Sequence, residues 1–277
     1  MDDSKKDSSL PAASPAGENE FVYISNDNFS PEIEALLRRT YDEVYAPIFP
    51  ANAGGENVER WIESFKRREM VSEYRIIIGG RDLTAAIRGD ADAHPVPKAI
   101  TVSNYYPKSD TAILGYITVK PEFRTERLGM KILDLQADFL RAAANEQGQN
   151  LRGWFLACHD PAKTDHNYGN YSAQKLVDKY LQHGLKIVPV DYVQPATGDA
   201  EGTAADKTRY YMLMAAPHPE TGEFPDAEAT IDFLRSVYRD LGFTDPDSDP
   251  DMQSMIRQLR GEMPTVATIA APKFPGP

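Results

Sequence analysis

The sequence predicts an α/β (α+β) chain. Runs rich in β-branched and aromatic residues alternate with segments whose apolar residues recur at helical spacing, in the order β-α-α-β-β-β-α-β-α-β-β over residues 20–216. One strand, Ala112–Thr118, runs through a tight turn into an amphipathic helix. Two more helix-period segments follow residue 217, so the chain divides into a tail (1–19), a mixed domain (20–216) and a helical C-terminal extension ending in a proline-rich tail (217–277).

Residues 1–19 are Ser, Ala, Pro and charge, a composition that cannot bury enough apolar surface to order itself. Phe21–Ser25 reads as the first strand. Ser30-Pro31 is an N-cap followed by proline at the first helical position, and Ile33, Leu36, Leu37, Tyr41, Val44, Tyr45 and Ile48 follow at helical spacing. Pro47 and Pro50 end that helix. A Gly-containing loop (Ala51–Glu56) leads to a second helix carrying Val58, Trp61, Ile62 and Phe65. Strands are expected at Tyr74–Ile78, Lys98–Tyr106 and Ala112–Thr118, with Ser109-Asp110 as the turn into the last. The next helix presents Leu128, Ile132, Leu135, Phe139 and Leu140 on one face. Leu151–Cys158 is a further strand and Ser172–His183 a helix capped by Gly184. Leu185–Val193 and Arg209–Ala215 complete the strands, separated by a loop (Thr197–Lys207). The extension offers helices at Asp226–Leu241 and Asp249–Arg260.

Of the 277 residues, 41% are hydrophobic and 26% charged, ordinary values for a chain that buries a core. A net charge of -12 argues against nonspecific nucleic-acid binding and suits a cationic substrate or a solvated acidic surface. Cys158 is the only cysteine, which excludes an intramolecular disulfide. No apolar run approaches the length of about 18 residues that spans a membrane, and the N-terminus lacks a secretory apolar region. A cytoplasmic protein without membrane partners is expected.

The chemistry concentrates at Val119-Lys-Pro-Glu-Phe-Arg-Thr-Glu-Arg-Leu-Gly-Met-Lys-Ile-Leu133. A strand, a turn and a helix start offer unpaired backbone N–H groups and the positive end of a helix dipole, a fitting place for pyrophosphate. The stretch resembles motif A of the GNAT superfamily of acyl-CoA-dependent N-acyltransferases, Val-x-Pro-x-x-Arg-Gly-x-Gly-x-Gly/Ala. Val119, Pro121, Arg124 and Gly129 match, while Thr125 and Arg127 stand where that family has glycine. The resemblance implies a mixed, mostly antiparallel central sheet flanked by helices. It also implies acetyl-CoA or another acyl-CoA as cosubstrate, with Ile117 and Val119 along the pantetheine arm and Arg124, Thr125, Arg127, Leu128, Gly129 and Met130 around the pyrophosphate. Arg127 could clash with the phosphates, swing outward or pair with them. The same resemblance makes a homodimer reasonable and implies no metal.

Leu176-Val-Asp-Lys-Tyr-Leu-Gln-His-Gly-Leu185 resembles the family's motif B, Ala-x-x-x-Tyr-x-x-x-Gly-Phe, with Leu176 and Leu185 as departures. By that match Tyr180 is the acid that protonates the departing thiolate, a role open to a phenol whose ordinary pKa is about 10. The implied reaction is direct attack of an amine on the thioester where the strands Ala112–Thr118 and Leu151–Cys158 splay apart. His159 and Asp160, just past the second strand, are the nearest candidates for the base. Glu43, Glu56 and Glu63 are rivals, and Tyr105, Tyr106 and Tyr116 are candidates to line the pocket.

Other patterns carry less. Cys158 and His159 are successive strand residues that face opposite ways, so they form no nucleophile–base pair. His159 and His166 lack the partners of a zinc site. Asp245-x-Asp247-x-Asp249 continues with Pro250 and Ile256 where a calcium loop needs Gly and Glu, and Asn52–Glu56 lacks the Gly-Lys-Ser/Thr ending of a P-loop. The expected activity is transfer of an acetyl or other short acyl group to a small-molecule or peptide amine. The alternatives are a noncatalytic acyl-CoA-binding or interaction module, and a different α/β enzyme whose turn binds another phosphate.

Overall fold

The computed structural model describes residues 19–49, 56–66, 72–168, 171–195, 207–218 and 220–263. The tail at 1–18, most of the Ala51–Glu56 loop, the greater part of the Thr197–Lys207 loop and the proline-rich end at 264–277 lie outside the described residues.

The β-rich runs pair into one sheet of β1 (Glu20–Ser25), β2 (Ser72–Gly79), β3 (Pro97–Tyr106), β4 (Thr111–Val119), β5 (Gly153–His159), β8 (Lys186–Ile187) and β9 (Tyr211–Ala216). A separate two-residue ladder joins β6 (Asn167–Tyr168) and β7 (Tyr171–Ser172). The seven-stranded order is β1-β2-β3-β4-β5-β9-β8. Every neighbouring pair is antiparallel except β4–β5. This mixed, mostly antiparallel sheet is GNAT-like, as its sequence led one to expect.

Strand alternation assigns the helices to two faces. On one face, Tyr74, Ile76, Tyr105, Ala112, Leu114, Trp154, Leu156 and Cys158 pack against α4 (Leu128–Glu146) and α5 (Ala173–Gln182). On the other, Val22, Ile24, Ile77, Ile100 and Val102 pack against α1 (Pro31–Thr40) and α2 (Val58–Lys66). Further along that second face, Tyr106, Phe155 and Leu213 receive Ile231, Phe233, Leu234 and Val237 of α6 (Ala227–Asp240) and Met252 and Met255 of α7 (Pro250–Leu259). Phe155 stacks on Phe233 at 4.1 Å between centroids, a geometry that adds about 0.5–1.5 kcal/mol to plain burial. The C-terminal helices therefore share a core with the sheet.

The capping chemistry is as expected. Ser30 Oγ accepts the N–H of Ile33 with Pro31 behind it, and Ser172 Oγ accepts the N–H of Lys175. Gly184, at φ 92°, lets the chain leave α5 in the left-handed region with Leu185 N–H returned to Tyr180 O at 3.0 Å.

The structure corrects four expectations. The first helix does not run evenly to Ile48: α1 widens into a π-turn over Tyr41–Tyr45, because Ala46 N–H bonds five residues back to Tyr41 O. Of Leu185–Val193 only Lys186–Ile187 joins the sheet; Val188 N–H still donates to Leu213 O at 2.9 Å, and the chain then meets its neighbour again at the Gln194–Thr208 bridge. Val188, Val190, Tyr192 and Val193 instead point into the core shared with α6 and α7, so their apolar character reflects burial and not pairing. The motif helix does not open directly after β4, since a 3-10 turn over Pro121–Glu126 intervenes. Finally, α3 (Leu83–Ile87) and the β6–β7 pair gave no periodic signal because both are too short for one.

Candidate active site

Two features of β4 create the site. Opposite Val102 and Ser103 of β3 stand Tyr116 and Leu114, so Gly115 is the extra residue of a β-bulge. The bulge shifts the alternation by one, turning Tyr116 onto the α1/α2 face, where its ring meets Tyr45 and Phe49. The β4–β5 pairing also ends at Leu114–Leu156, immediately before the bulge. From Gly115 to Val119, β4 is held by β3 alone, and its opposite edge faces a gap.

A cavity of about 1600 Å³ occupies that gap and reaches both faces of the sheet. On the α4/α5 side it meets Gly129, Met130, Cys158, Leu176 and Tyr180; on the other, Trp61, Tyr106, Tyr116, Ala157, His159 and Asp240.

At the α4 end the cavity is cationic. Arg124, Arg127 and Lys179 line it, and among the described residues none of the three has a carboxylate partner. Arg124 Nε donates to Val119 O at 3.4 Å, which ties the 3-10 turn to the end of β4. Arg127 is exposed and sits in the left-handed region at φ 56°, ψ 25°, just before α4. It stands where the resembled family has glycine, and the dihedral supplies the physical reason for that preference. Met130 and Lys131 N–H bond back to Arg127 O, while the N–H groups of Leu128 and Gly129 have no acceptor among the described residues. A Cβ built on Gly129 would meet Val119 Cγ2 at 3.8 Å, an ordinary van der Waals contact, so nothing in the protein itself demands glycine there. Thr118 Oγ1 is buried on the cavity lining without a hydrogen-bond partner. Unpaired donors, free cations and one orphaned hydroxyl along an open edge strand fit a long ligand with a phosphate end. Thr125 is exposed and Leu128 buried under the turn; neither side chain lines the cavity.

Tyr180 lines the cavity from α5, 9% exposed, within the cluster that holds Cys158. Burial, and secondarily Asp160, pushes the Cys158 thiol up to about 12, so it stays protonated. His159 also lines the cavity. Its ring stacks on His166 at 3.8 Å and on Tyr210 at 5.1 Å. Burial, then the charge of His166, lowers its pKa to about 4, so it is neutral at neutral pH. Asp160 is off the cavity lining: its carboxylate accepts Ala162 N–H at 2.9 Å and lies 3.4 Å from Lys163. Of the rival acids, Glu56 and Glu63 line the cavity, whereas Glu43 is tied to Lys120 and Arg39. Tyr106 and Tyr116 line the cavity; Tyr105 does not, its hydroxyl donating to Asp110 at 3.1 Å.

Asp240, at the end of α6, was not anticipated. Its Oδ2 accepts from Asn104 Nδ2 at 3.3 Å and Tyr106 Oη at 3.2 Å. Burial raises its pKa, against the lowering effect of those two bonds. A sequence signal existed: Asp240 falls three residues after Val237, on the margin of an apolar helix face, where a lone acid needs a reason. Among the described residues no group of three or more His, Cys, Asp or Glu is placed to hold a metal, and no helix is long and apolar enough to cross a membrane.

These features define a GNAT-like fold with a cavity at its parted strands. No protein-family model matches the chain, and no curated protein matches it. Solved structures do match it. A protein from Bacteroides thetaiotaomicron assigned to the GNAT-family acetyltransferases is 16% identical, with 70% of this chain and 85% of that one covered and a TM-score of 0.45. The ribosomal-protein-S18-alanine N-acetyltransferase of Escherichia coli is 12% identical, covering 70% and 92%, with a TM-score of 0.38. The PaiA N-acetyltransferase of Thermoplasma acidophilum, solved in complex with coenzyme A, is 13% identical over 71% and 97%, with a TM-score of 0.34. At such identities the fold description rests on this chain's own strand order, its Gly115 bulge and its parted β4–β5 pair.

Proposed function

We propose that this chain is an acyl-CoA-dependent N-acyltransferase that moves an acetyl or other short acyl group onto an amine. The observation that supports this most directly is the single cavity through the β4–β5 gap, cationic at the start of α4 and lined by Tyr180 at the gap. In this reading Arg124, Arg127 and the N–H groups of Leu128 and Gly129 hold the pyrophosphate, with Thr125 and Met130 at its margin. The open edge of β4 from Gly115 through Ile117 to Val119 takes the pantetheine arm as an added strand would be taken. A β4 N–H polarises the thioester carbonyl.

The amine nitrogen attacks the thioester carbon, forming the C–N bond as the C–S bond breaks. Tyr180 gives its proton to the thiolate. The amine proton passes to a base on the other side of the gap. His159 is neutral and can accept it, though burial and His166 make it a weak base; Asp160 could serve only through an intervening water, since it is off the lining.

The test is purified protein with acetyl-CoA and an amine panel, read as CoA release and as thermal shift. Saturation at roughly 100 times Kd stabilises by about 2.7 kcal/mol, a shift of about 5–10 °C for a chain of this size. No shift and no CoA release refutes the proposal. A shift without turnover, unchanged in Tyr180→Phe, assigns the chain to noncatalytic acyl-CoA binding instead.

A further inference from the structure

The cavity has a second half that the cofactor does not explain. On the face away from α4 it opens into a chamber between α2 and α6, floored by Val102, Asn104 and Tyr116. Its walls are largely aromatic: Phe49, Trp61, Tyr106 and Tyr116 all line it, with Phe49 and Tyr116 edge to face at 5.1 Å. Trp61 already carries the Arg75 guanidinium at 5.1 Å from its ring centroid, so the negative faces offered to an approaching cation are those of Phe49, Tyr106 and Tyr116. Glu56 stands on the α2 side with its carboxylate engaged by the Trp61 indole N–H, and Arg60 also lines the chamber, near enough for its charge to act on Tyr116 and Asp240. On the α6 side stands Asp240. Both of its hydrogen bonds fall on Oδ2, from Asn104 and Tyr106; Oδ1 makes no hydrogen bond among the described residues. Oδ1 is not among the buried unpaired atoms, so it opens onto the cavity, where Arg60 supplies the only side-chain cation whose charge acts on Asp240 among the described residues.

We infer that Asp240 Oδ1, supplied by the C-terminal extension, is the anchor for the ammonium group of an organic amine with an apolar or aromatic body. Calling that amine the acyl acceptor rests on the acyltransferase reading. Binding of the cation at Asp240 does not. Asn104 and Tyr106 hold Oδ2 and so aim Oδ1 at the chamber, while the rings cover the body of the ligand and exclude water from the ion pair. Asp240 is thus a specificity-determining residue. It selects a cation over a neutral molecule of the same shape.

Calorimetric titration of the full chain, without CoA, tests this with phenethylamine and its neutral isostere 2-phenylethanol. The amine is expected to bind at least tenfold more tightly than the alcohol in the wild type. Asp240→Asn, which keeps an acceptor for Asn104 and Tyr106, is expected to weaken the amine at least tenfold and leave the alcohol unchanged. Equal binding of amine and alcohol by the wild type, no detectable binding of the amine, or undiminished amine binding by Asp240→Asn would each overturn the inference. The wild-type comparison needs no variant, so equal binding of amine and alcohol overturns the inference even if Asp240→Asn fails to fold; Glu56→Gln, expected to leave the amine preference in place, separates Asp240 from the other carboxylate of the chamber wall. Acetyl-CoA is titrated separately: its failure to bind would sink the acyltransferase reading and leave the amine result standing.

Discussion

Replacing Arg127 with glycine should make the protein more stable and a poorer binder of acetyl-CoA at once. Arg127 holds φ 56°, ψ 25° between the 3-10 turn and α4. A side chain in that region costs about 1–2 kcal/mol that glycine does not incur. Glycine also loosens the unfolded chain, which offsets about 0.4–1 kcal/mol of the gain. The net is roughly 0.5–1 kcal/mol in favour of Arg127→Gly, or about 1–4 °C in Tm for a domain of this size. The guanidinium itself adds nothing to set against this, because among the described residues it has no carboxylate partner. Its value lies in the ligand. As an exposed cation meeting a phosphate it is worth about 1 kcal/mol, close to fivefold in Kd. Differential scanning fluorimetry of the CoA-free chain and calorimetry with acetyl-CoA measure the two effects independently. Arg127→Lys, which keeps both the charge and the strain, should leave both nearly as in the wild type. A lower Tm for Arg127→Gly would refute the strain assignment. Acetyl-CoA binding by Arg127→Gly as tight as in the wild type, or tighter, would mean that the arginine obstructs the phosphates.

Three further outcomes are expected. Tyr180→Phe should lower kcat by about a hundredfold or more, as loss of a general acid does, while the calorimetric Kd for acetyl-CoA changes by less than about twofold; a kcat within a few-fold of wild type would reduce Tyr180 to packing. His159 has a folded pKa near 4 against 6.5 unfolded, so the unfolded chain takes up the proton first as pH falls. Stability tied to this residue is complete above pH 6.5 and is lost towards pH 4, a matter of a few kcal/mol at about 1.4 per pH unit; urea titrations across that window should slope less steeply in His159→Gln, and parallel slopes would refute the shift. Cys158, buried and with its thiol raised to about 12, should resist iodoacetamide at pH 8 in the native state and react once unfolded; rapid native labelling, read by mass spectrometry, would contradict that burial.

The strands and helices that place the cavity were legible because they obey simple periods. Tyr74–Ile78, Lys98–Tyr106 and Ala112–Thr118 lie within observed strands, Leu151–Cys158 begins two residues ahead of the strand it overlaps, and Ser30, Ser172 and Gly184 cap helices where their chemistry suits it. What failed was local pattern standing in for tertiary context. Val188, Val190 and Tyr192 alternate like a strand, yet they serve a core completed by α6 and α7, more than thirty residues later. The bulge at Gly115 was invisible because its signature is a register relation with β3 and not a residue type. Of the candidates named from the motif and the strand end, Tyr180 and His159 both line the cavity, whereas Asp160 turns to cap its own loop. Asp240 escaped because a motif search looks near the motif, whereas the sheet brings residue 240 to residues 104 and 106.

The division of helices between the two sheet faces separates what the molecule must keep from what it is free to vary. The cationic end, the α4 start and Tyr180 come from a continuous middle stretch of the chain, residues 115–180. The opposite chamber is walled by two segments far apart in sequence, around Glu56–Ser64 and Val237–Leu241, which meet only across the sheet. On the acyltransferase reading, mutations in those two segments would reshape which acceptor is received without disturbing how the acyl donor is held. The same arrangement makes that chamber depend on one docking contact: its second wall exists only where α6 packs on the sheet through Ile231, Phe233, Leu234 and Val237.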